Sequence, residues 1–487
     1  MVGVPGRSKA CVTCLRRKKR VRLVFPLYGC DLQKPRCGPC RKACIECGGY
    51  YRPRIFINNT VQNPDTKVRT MGASCELRHD TFGKKAGRNP IAAESVALLP
   101  SLARSAYQTK YLDLFWNLYL PNGVALSPEV TQPTLGGWIG TIQEIYSTEE
   151  VLRKALLAMS LAAVGKHDGS QFLKEEGMEL YAGALQGMAV ALKNPKRALS
   201  DGMLTAIRIF SLYESMHGNN DASGLAQARS WVVHNSGDVA LLMARTPHSF
   251  TTGHAHRLFA DGRLHLTLSA LRTRKRTFLA EPAWMAIPWS QQEKSPRDHL
   301  IDILIDITPV FEDMDIMKSC EHMQQKEALR QQLIARYLDL QQRLVDWNTR
   351  FAPDFEPTGE CPEVILPSKL AAAHLSTLLW STQLVVAINI NLLLHTSENS
   401  LVAMDLDRLC GNIVKTIPFF CHPSVGLFRV HLTTYPLSVA LQYICDVGAG
   451  RMVAERRLLV DCLDNPACVG MRQFITSMND NLPGFLQ

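Results

Sequence analysis

The chain has 487 residues, 15 cysteines and a formal net charge of +10 at pH 7, which predicts about two or three domains and a large buried core. The charge is uneven, because residues 1–60 contain 14 basic and two acidic residues, while the rest contains 40 basic and 42 acidic residues. Basicity confined to one end, on a chain that is otherwise nearly neutral, indicates a tethered nucleic-acid-binding module. Because Val2–Ala10 lacks the apolar core of a secretory signal, we expect reduced thiols and not disulfides.

The first element along the chain is a cysteine-rich segment, Ala10–Tyr50, which contains seven of the 15 cysteines. Six of the seven form C-x-x-C pairs, namely Cys11/Cys14, Cys37/Cys40 and Cys44/Cys47. Two cysteines at this spacing can place both sulfurs on one metal ion within a tight turn, so repeated pairs predict zinc. Five consecutive cations follow the first pair: Arg16, Arg17, Lys18, Lys19 and Arg20. A basic helix on a metal-nucleated fold indicates nucleic-acid binding.

The segment resembles the fungal zinc binuclear cluster, the six-cysteine DNA-binding module of fungal transcription factors. That family has two C-x2-C-x6-C halves joined by a loop that usually contains proline. The second half here has the family spacing, and Cys30-Asp31 and Pro35 also fit. The resemblance implies two zinc ions bound by Cys11, Cys14, Cys30, Cys37, Cys40 and Cys47. It also implies that Cys11 and Cys37 bridge both ions.

The same resemblance implies a role for the basic run. The helix that begins at Cys14 would enter the major groove of double-stranded DNA, with Lys18 at or next to the position that reads base edges, usually at a CGG triplet. The other four cations would mostly pair with phosphates, which gives affinity and salt dependence but little sequence choice. The location implied is the nucleus.

The first half of the motif departs from the family pattern. Position 21 is Val21 where a cysteine is expected, and the nine residues Val21–Gly29 intervene before Cys30. One hypothesis is a tolerated loop. The other hypothesis is that the segment impairs the cluster, as a genuine insertion or a gene-model artefact. The apolar residues of the segment favour this second hypothesis, because a looped-out segment would expose them. We expect removal of Val21–Gly29 to give two bound zinc ions and tight binding to CGG-type DNA, and we expect the form with the insertion to bind weakly.

Other interpretations of the cysteines remain open. A single zinc site could use Cys37, Cys40, Cys44 and Cys47; in the binuclear interpretation Cys44 is a bystander. The alternative function is that of a helical interaction protein whose disrupted cluster no longer binds DNA. An enzyme within the helical body is a third, weaker hypothesis.

The cysteine-rich segment and its basic run set the bounds of the predicted DNA-binding module at residues 1–54.

Residues 55–100 are predicted as a linker, because glycine, proline and asparagine recur there without a sustained period. Many members of the family dimerise through a coiled coil after the cluster. This segment has no heptad repeat, so it does not predict dimerisation by that route. Homodimerisation by another route remains open.

From residue 101 to 487 the pattern predicts an all-α domain without strand-like alternation. Apolar residues recur at helical spacing from Tyr107 to Leu118, and Thr148-Glu149-Glu150 predicts a cap for a second helix. Further predicted helices are Gln171–Leu192, Leu199–Met216, Leu225–Arg245, His256–Leu279, Ile301–Ile316 with a break at Pro309, Gln324–Trp347, Leu370–Leu394 and Leu437–Val447. Polar residues interrupt Leu370–Leu394, which favours a buried helix over a membrane span.

A second resemblance lies in this domain. Residues that carry it are Trp231, His234, Gly237, Leu241, Leu242, Arg245, Pro247, His256, Leu258, Phe259, Arg274–Leu279, Pro282, Trp284, Pro288 and Trp289. They resemble the fungal-specific regulatory domain that follows the zinc cluster. The resemblance implies regulation at RNA polymerase II promoters, with co-regulators or the transcriptional machinery as partners and no membrane.

Two observations argue against catalysis in the helical domain. Its histidines have no H-E-x-x-H spacing, and the chain has no G-x-S-x-G or glycine-rich phosphate loop. We therefore predict no enzyme activity. The remaining cysteines of the domain, which form no C-x-x-C pair, are predicted to be core thiols: Cys320, Cys361, Cys410, Cys421, Cys445, Cys462 and Cys468.

Overall fold

The computed structural model describes residues 11, 13, 36–45, 47, 100–123, 137–218, 226–394, 405–448, 450–465 and 468–478. The chain divides into two compact units, Met1–Glu94 and Ser95–Gln487. The described part of the first unit includes a short helix, α1 (Gly38–Lys42), which has a proline in its first turn. Residues 55–99 of the predicted linker lie outside the described residues.

The second unit is helical, and no strand occurs among the described residues, which confirms the predicted all-α class. Its helices are α2 (Pro100–Tyr119), α3 (Gly137–Ile145), α4 (Glu150–His167), α5 (Gln171–Ala191), α6 (Pro195–Ala198), α7 (Asp201–His217), α8 (Ala226–Arg245), α9 (Gly253–Thr273), α10 (Pro282–Ala286), α11 (Pro296–Ser319), α12 (Met323–Phe351), α13 (Pro367–Leu393), α14 (Leu406–Cys421), α15 (Arg429–Val447), α16 (Val453–Leu463) and α17 (Val469–Met478). Short 3-10 turns connect several of them, at Pro121–Gly123, Pro247–Phe250, Phe278–Ala280, Ile287–Trp289 and Pro423–Phe428.

Helices adjacent in sequence pack together, as α4 does on α5, α7 on α8, α11 on α12 and α14 on α15. A large apolar core extends from α2 to α13 and includes residues of the Pro423–Phe428 turn and α15. A second apolar cluster lies among α13 to α17. Helix α17 also contacts α7 and α8, so the C-terminal helices return to the first half of the domain.

Helix starts follow local capping chemistry. Ser170, Ser200 and Asp405 each accept a hydrogen bond from a backbone N–H of the first helical turn. Ser295 and Asp298 form a reciprocal capping box at the start of α11. The predicted Thr148 cap was wrong by one residue, because the carboxylate of Glu149 accepts the Val151 N–H.

The break predicted at Pro309 was also wrong, since α11 continues through it. Proline lacks the N–H that would bond to the carbonyl four residues earlier, here that of Ile305. The Thr308 hydroxyl donates to this carbonyl at 2.9 Å and accepts the N–H of Thr277 at 3.2 Å. A side chain thus replaces the missing backbone bond and ties the helix to a neighbouring turn.

Helix α13 is, among the described residues, long and apolar enough to cross a membrane by length and composition alone. However, 72% of its most apolar window is buried in the protein. Its polar residues His374 and Asn389 are buried as well. This burial is what a core helix shows, as the interrupted pattern of Leu370–Leu394 suggested.

Candidate metal centre and a cavity in the helical domain

Four cysteines of the N-terminal unit bring their sulfurs together. The Sγ atoms of Cys11, Cys37, Cys40 and Cys47 all lie within 4.8 Å of one another. The Cys11 sulfur is 3.6 Å from that of Cys37 and 3.8 Å from that of Cys40. Tetrahedral zinc with Zn–S bonds of about 2.3 Å requires sulfurs about 3.8 Å apart. The group therefore fits one zinc ion.

Helix α1 positions two of these thiols. Cys37 is its N-cap, and Cys40 follows in the same turn. The chain then turns at Cys44, whose φ is 51°, while the Ile45 N–H donates to the Cys40 carbonyl at 3.1 Å. Cys44 is exposed and is not part of the four-thiol group, whereas Cys47 is half-buried and belongs to it. The sulfurs of Cys11, Cys37 and Cys40 are excluded from water, which suits a structural metal site.

Several predicted site residues lie outside the described residues. These are Cys14, Cys30, Arg16, Arg17, Lys18, Lys19 and Arg20, together with Val21–Gly29. A second ion and the DNA-contacting side chains therefore stay predictions.

The helical domain contains a cavity of about 140 Å³. Residues of α3, α7, α8, α9, α15 and α17 line it, and aromatic side chains (Trp138, Trp231 and Phe474) form much of its wall. Most of the lining surface is apolar. The ring of Trp231 contacts that of Phe474 edge to face, with centroids 5.8 Å apart. This contact joins α8 and α17 across the cavity wall.

The charged groups beside the cavity are paired with one another. Asp238 is fully buried on α8 and accepts hydrogen bonds from Arg208 at 2.9 Å and from His265 at 2.8 Å. Burial alone would raise the pKa of Asp238, but Arg208 and His265 together hold it below its usual range. Burial lowers the pKa of His265. The Arg208–Asp238 pair thus presents no net charge to the cavity.

Two further titratable groups line the cavity. Burial raises the pKa of Asp261 to about 6, although Arg297 at 3.3 Å opposes the shift. Burial lowers the pKa of His431 to about 4, and this side chain shares a short hydrogen bond with the Tyr119 hydroxyl. At pH 7 His431 is therefore neutral, and Asp261 faces a buried guanidinium. The arrangement suits a neutral ligand better than an ion.

The histidines considered at the sequence level have structural partners in most cases. His234 Nε2 lies 3.0 Å from the Tyr181 hydroxyl. His256 Nδ1 lies 3.0 Å from the Phe250 carbonyl. Gly237, on the face of His234, does permit close packing: a Cβ there would lie 2.3 Å from Ile207 Cδ1.

Sequence reasoning did not single out the cavity. Arg208 bonds a carbonyl 50 positions away, His431 a hydroxyl 312 positions away and His265 a carboxylate 27 positions away, and no local motif links them. The buried carboxylates Asp238 and Asp261 also belong to no motif in the sequence. Their burial, which sets their pKa values, depends on packing between distant helices.

Comparison with known proteins identifies one part of the chain. Residues 117–288, about a third of the chain, match the family described as the fungal specific transcription factor domain. The matched segment contains nearly all of the block Trp231–Trp289 and the Arg208–Asp238 pair, and it indicates a fungal transcription regulator. No match to a six-cysteine zinc-cluster family accompanies it. Neither the curated proteins nor the solved structures contain a match to the chain.

Proposed function

We propose that this chain is a nuclear transcription regulator that binds double-stranded DNA through a zinc cluster at its N-terminus and is controlled through its helical domain. The observation that carries the proposal is the four-thiol group of Cys11, Cys37, Cys40 and Cys47. The sequence between Cys11 and Cys37 contains the basic run, and the helical part of the chain matches a transcription factor domain. CGG-type half-sites at RNA polymerase II promoters are the targets that the family resemblance implies. The absence of a catalytic motif argues against an enzyme.

The metal stoichiometry follows from shared ligands. If Cys11 and Cys37 bridge two zinc ions, one ion takes Cys40 and Cys47 as its remaining ligands, which completes the four-thiol group. The other ion would take Cys14 and Cys30. Zinc binding supplies about 10–16 kcal/mol in small zinc modules, so the metal would provide the folding free energy that so small a unit lacks in apolar core.

DNA binding is proposed to divide between two kinds of contact. Lys18 would read base edges, and Arg16, Arg17, Lys19 and Arg20 would neutralise phosphates. We expect Lys18→Ala to relax sequence preference. Arg17→Ala should weaken binding to all duplexes alike and lower the salt slope by about one.

The test compares the full chain with the variants Lys18→Ala and Arg17→Ala and with a variant lacking Val21–Gly29. Zinc content is measured by mass spectrometry, and affinities for a CGG-containing duplex and a scrambled duplex are measured at several salt concentrations. Tight, sequence-selective binding by at least the deletion variant supports the proposal. Zinc without binding to either duplex would favour the helical interaction protein, and absence of zinc from both forms would remove the metal centre.

For the helical domain we propose that the cavity binds a small, neutral, largely aromatic regulator. Its volume of about 140 Å³ is close to that of protein cavities that take benzene. The wall is apolar and aromatic, and the adjoining Arg208–Asp238 charges neutralise each other. A convergent apolar cavity with a few polar groups is the usual form of a small-molecule site.

Indole is a suitable probe of the cavity. A ligand at a hundredfold its Kd stabilises the folded state by about 2.7 kcal/mol, so indole should raise the Tm of the wild type in a saturable way. Leu268→Trp should abolish the shift by filling the cavity. Leu271→Trp is the matched control, because Leu271 is also half-buried on α9 but does not line the cavity. A wild type that does not respond to indole, or equal responses from both variants, would contradict the assignment.

A further inference from the structure

Three cysteines of the helical domain, predicted from the sequence to be separate core thiols, come together in the structure. Cys421 ends α14, Cys462 lies near the end of α16, and Cys468 immediately precedes α17. The sulfurs of Cys421 and Cys468 are 3.5 Å apart. Cys462 packs on the same apolar cluster as Cys421 and Cys468. Cys421 thus lies beside the thiol that precedes α17 and shares its apolar cluster with a thiol of α16.

A buried cation lies beside this group. Arg429, at the start of α15, is 5% exposed. Its Nη1 donates to the carbonyl of Cys421 at 3.0 Å and its Nε to the carbonyl of Gly426 at 2.7 Å. The charge of Arg429 by itself lowers the pKa of Cys468, but the hydrogen bond with Cys421 and burial outweigh it.

No ion pair joins Arg429 to a carboxylate among the described residues. A buried guanidinium without an anionic partner favours the ionised form of a neighbouring thiol. Arg429 thus opposes the rise in the pKa of Cys421 and Cys468, the two thiols on which its charge acts.

The three thiols are not equivalent. The interaction with the Cys421 thiol lowers the pKa of Cys462. The same interaction raises the pKa of Cys421 to about 12, and the pKa of Cys468 is raised by its hydrogen bond with Cys421. Cys462 is half-buried, whereas Cys468 is fully buried. Cys462 is consequently the thiol that combines ionisation with access from solvent.

We propose that Cys421, Cys462 and Cys468 form a redox-modification site at which hydrogen peroxide converts the thiols to a disulfide. In the first step the Cys462 thiolate attacks one peroxide oxygen, the O–O bond breaks, and hydroxide leaves, which gives a sulfenic acid. In the second step the Cys421 sulfur attacks the Cys462 sulfur. The S–S bond forms, the S–O bond breaks, and the hydroxyl leaves as water after taking the Cys421 proton.

Cys468 allows a third step. Its sulfur can attack the Cys421 sulfur and release Cys462 as a thiol, which transfers the disulfide to the buried pair Cys421–Cys468. The two sulfurs must approach from 3.5 Å to about 2.05 Å. The product would connect the end of α14 to the start of α17, the helix whose Phe474 lines the cavity.

Metal binding is the competing use of such a group. Among the described residues, the N-terminal thiol group is the set whose ligand atoms all lie close enough to share a metal ion. The three sulfurs of Cys421, Cys462 and Cys468 do not have this spacing. The geometry therefore favours oxidation. The proposal does not depend on DNA binding, because it concerns only residues of the helical domain.

The test uses the full chain, fully reduced and then exposed to hydrogen peroxide, with alkylation and peptide mass spectrometry to locate every cysteine. We expect peptides linking Cys421 to Cys462 or Cys468. We also expect iodoacetamide to label Cys462 about tenfold faster than Cys445 at pH 7.5, since the thiolate is the reacting form. Cys445 is a half-buried thiol of α15 whose pKa is raised by burial, so it is a matched reference.

Two variants locate the steps. Cys462→Ser should slow disulfide formation at Cys421 about tenfold or more, because the first nucleophile is lost, whereas Cys445→Ser should not change it. If Cys421→Ser or Cys462→Ser fails to fold, the labelling rates of the wild type decide. Labelling of Cys462 no faster than Cys445, together with no linked peptide, would overturn the proposal, as would zinc retained by the three thiols.

Discussion

Replacing Asp238 by asparagine removes the anion that Arg208 and His265 share beside the cavity. The Asp238 side chain is 1% exposed and that of Arg208 10% exposed, with 2.9 Å between Arg208 Nε and Asp238 Oδ2. Removing one partner of such a buried pair leaves an uncompensated charge, which costs about 3–5 kcal/mol. Asparagine retains the size of the side chain, so a loss of stability reflects the missing charge and not a change in packing. We expect a fall of about 3–5 kcal/mol in the free energy of unfolding.

The control is Asp315→Asn. Asp315 accepts hydrogen bonds from Arg274 at 2.8 Å, but the two side chains are 43% and 36% exposed. Exposed pairs contribute about 1 kcal/mol or less because water and salt screen them. Urea unfolding of the full chain at pH 7.5, followed by circular dichroism, measures both variants. Equal losses, or a loss below about 1 kcal/mol for Asp238→Asn, would refute the reasoning that burial makes this pair sensitive.

Three further predictions concern acid, backbone strain and metal. Burial lowers the pKa of His217 and His374 to about 3 and of His431 to about 4. Folding therefore favours their neutral forms. The stability that these histidines contribute is fully present above about pH 6.5 and falls toward pH 4 by about 1.4 kcal/mol per pH unit for each of them. Urea titrations at several pH values measure this loss. Gly426→Ala should cost about 2–4 kcal/mol more than Gly448→Ala. Both have positive φ, but a Cβ at Gly426 would lie 2.7–3.1 Å from three backbone carbonyl oxygens, while nothing lies within 4 Å at Gly448; equal losses would exclude the steric explanation. Chelation of zinc should remove one small calorimetric transition and leave the main helical transition unchanged, whereas a shift of the main transition would contradict a metal confined to the N-terminal unit.

Features that depend on nearby residues could be predicted from the sequence. The C-x-x-C spacing indicated a metal group because each pair forms its own turn, as Cys37 and Cys40 do at α1. Helical periodicity found most of α2 to α13 because each helix buries one face. Where a helix deviates from local rules the prediction failed. Pro309 does not break α11 because Thr308 replaces the missing hydrogen bond, which no helix-breaking rule anticipates.

Features that depend on distant residues could not be predicted. Cys421 and Cys468 are 47 positions apart, and neither has a cysteine at C-x-x-C spacing. Helices α3, α14, α16 and α17 were not among the predicted helices. Without α17 the sequence could not place Cys468 or Phe474. Both the thiol group and the cavity depend on this return of the last helix, so they belong to the part of the structure that only tertiary packing determines.

The position of Cys11 in the thiol group bears on how the insertion Val21–Gly29 can act. Cys11 lies 26 positions before Cys37 and joins its thiol group; without the nine inserted residues the separation would be 17. Loop-closure entropy grows as (3/2)RT ln n, so the longer loop costs only about 0.4 kcal/mol, far below the roughly 10–16 kcal/mol of zinc binding. Loop length alone therefore does not prevent metal binding. If the segment impairs function, it acts through its apolar residues beside the basic run at 16–20, where DNA would bind. Equal zinc content with unequal DNA affinity in the two forms is the result that this argument requires, and loss of zinc from the longer form would refute it.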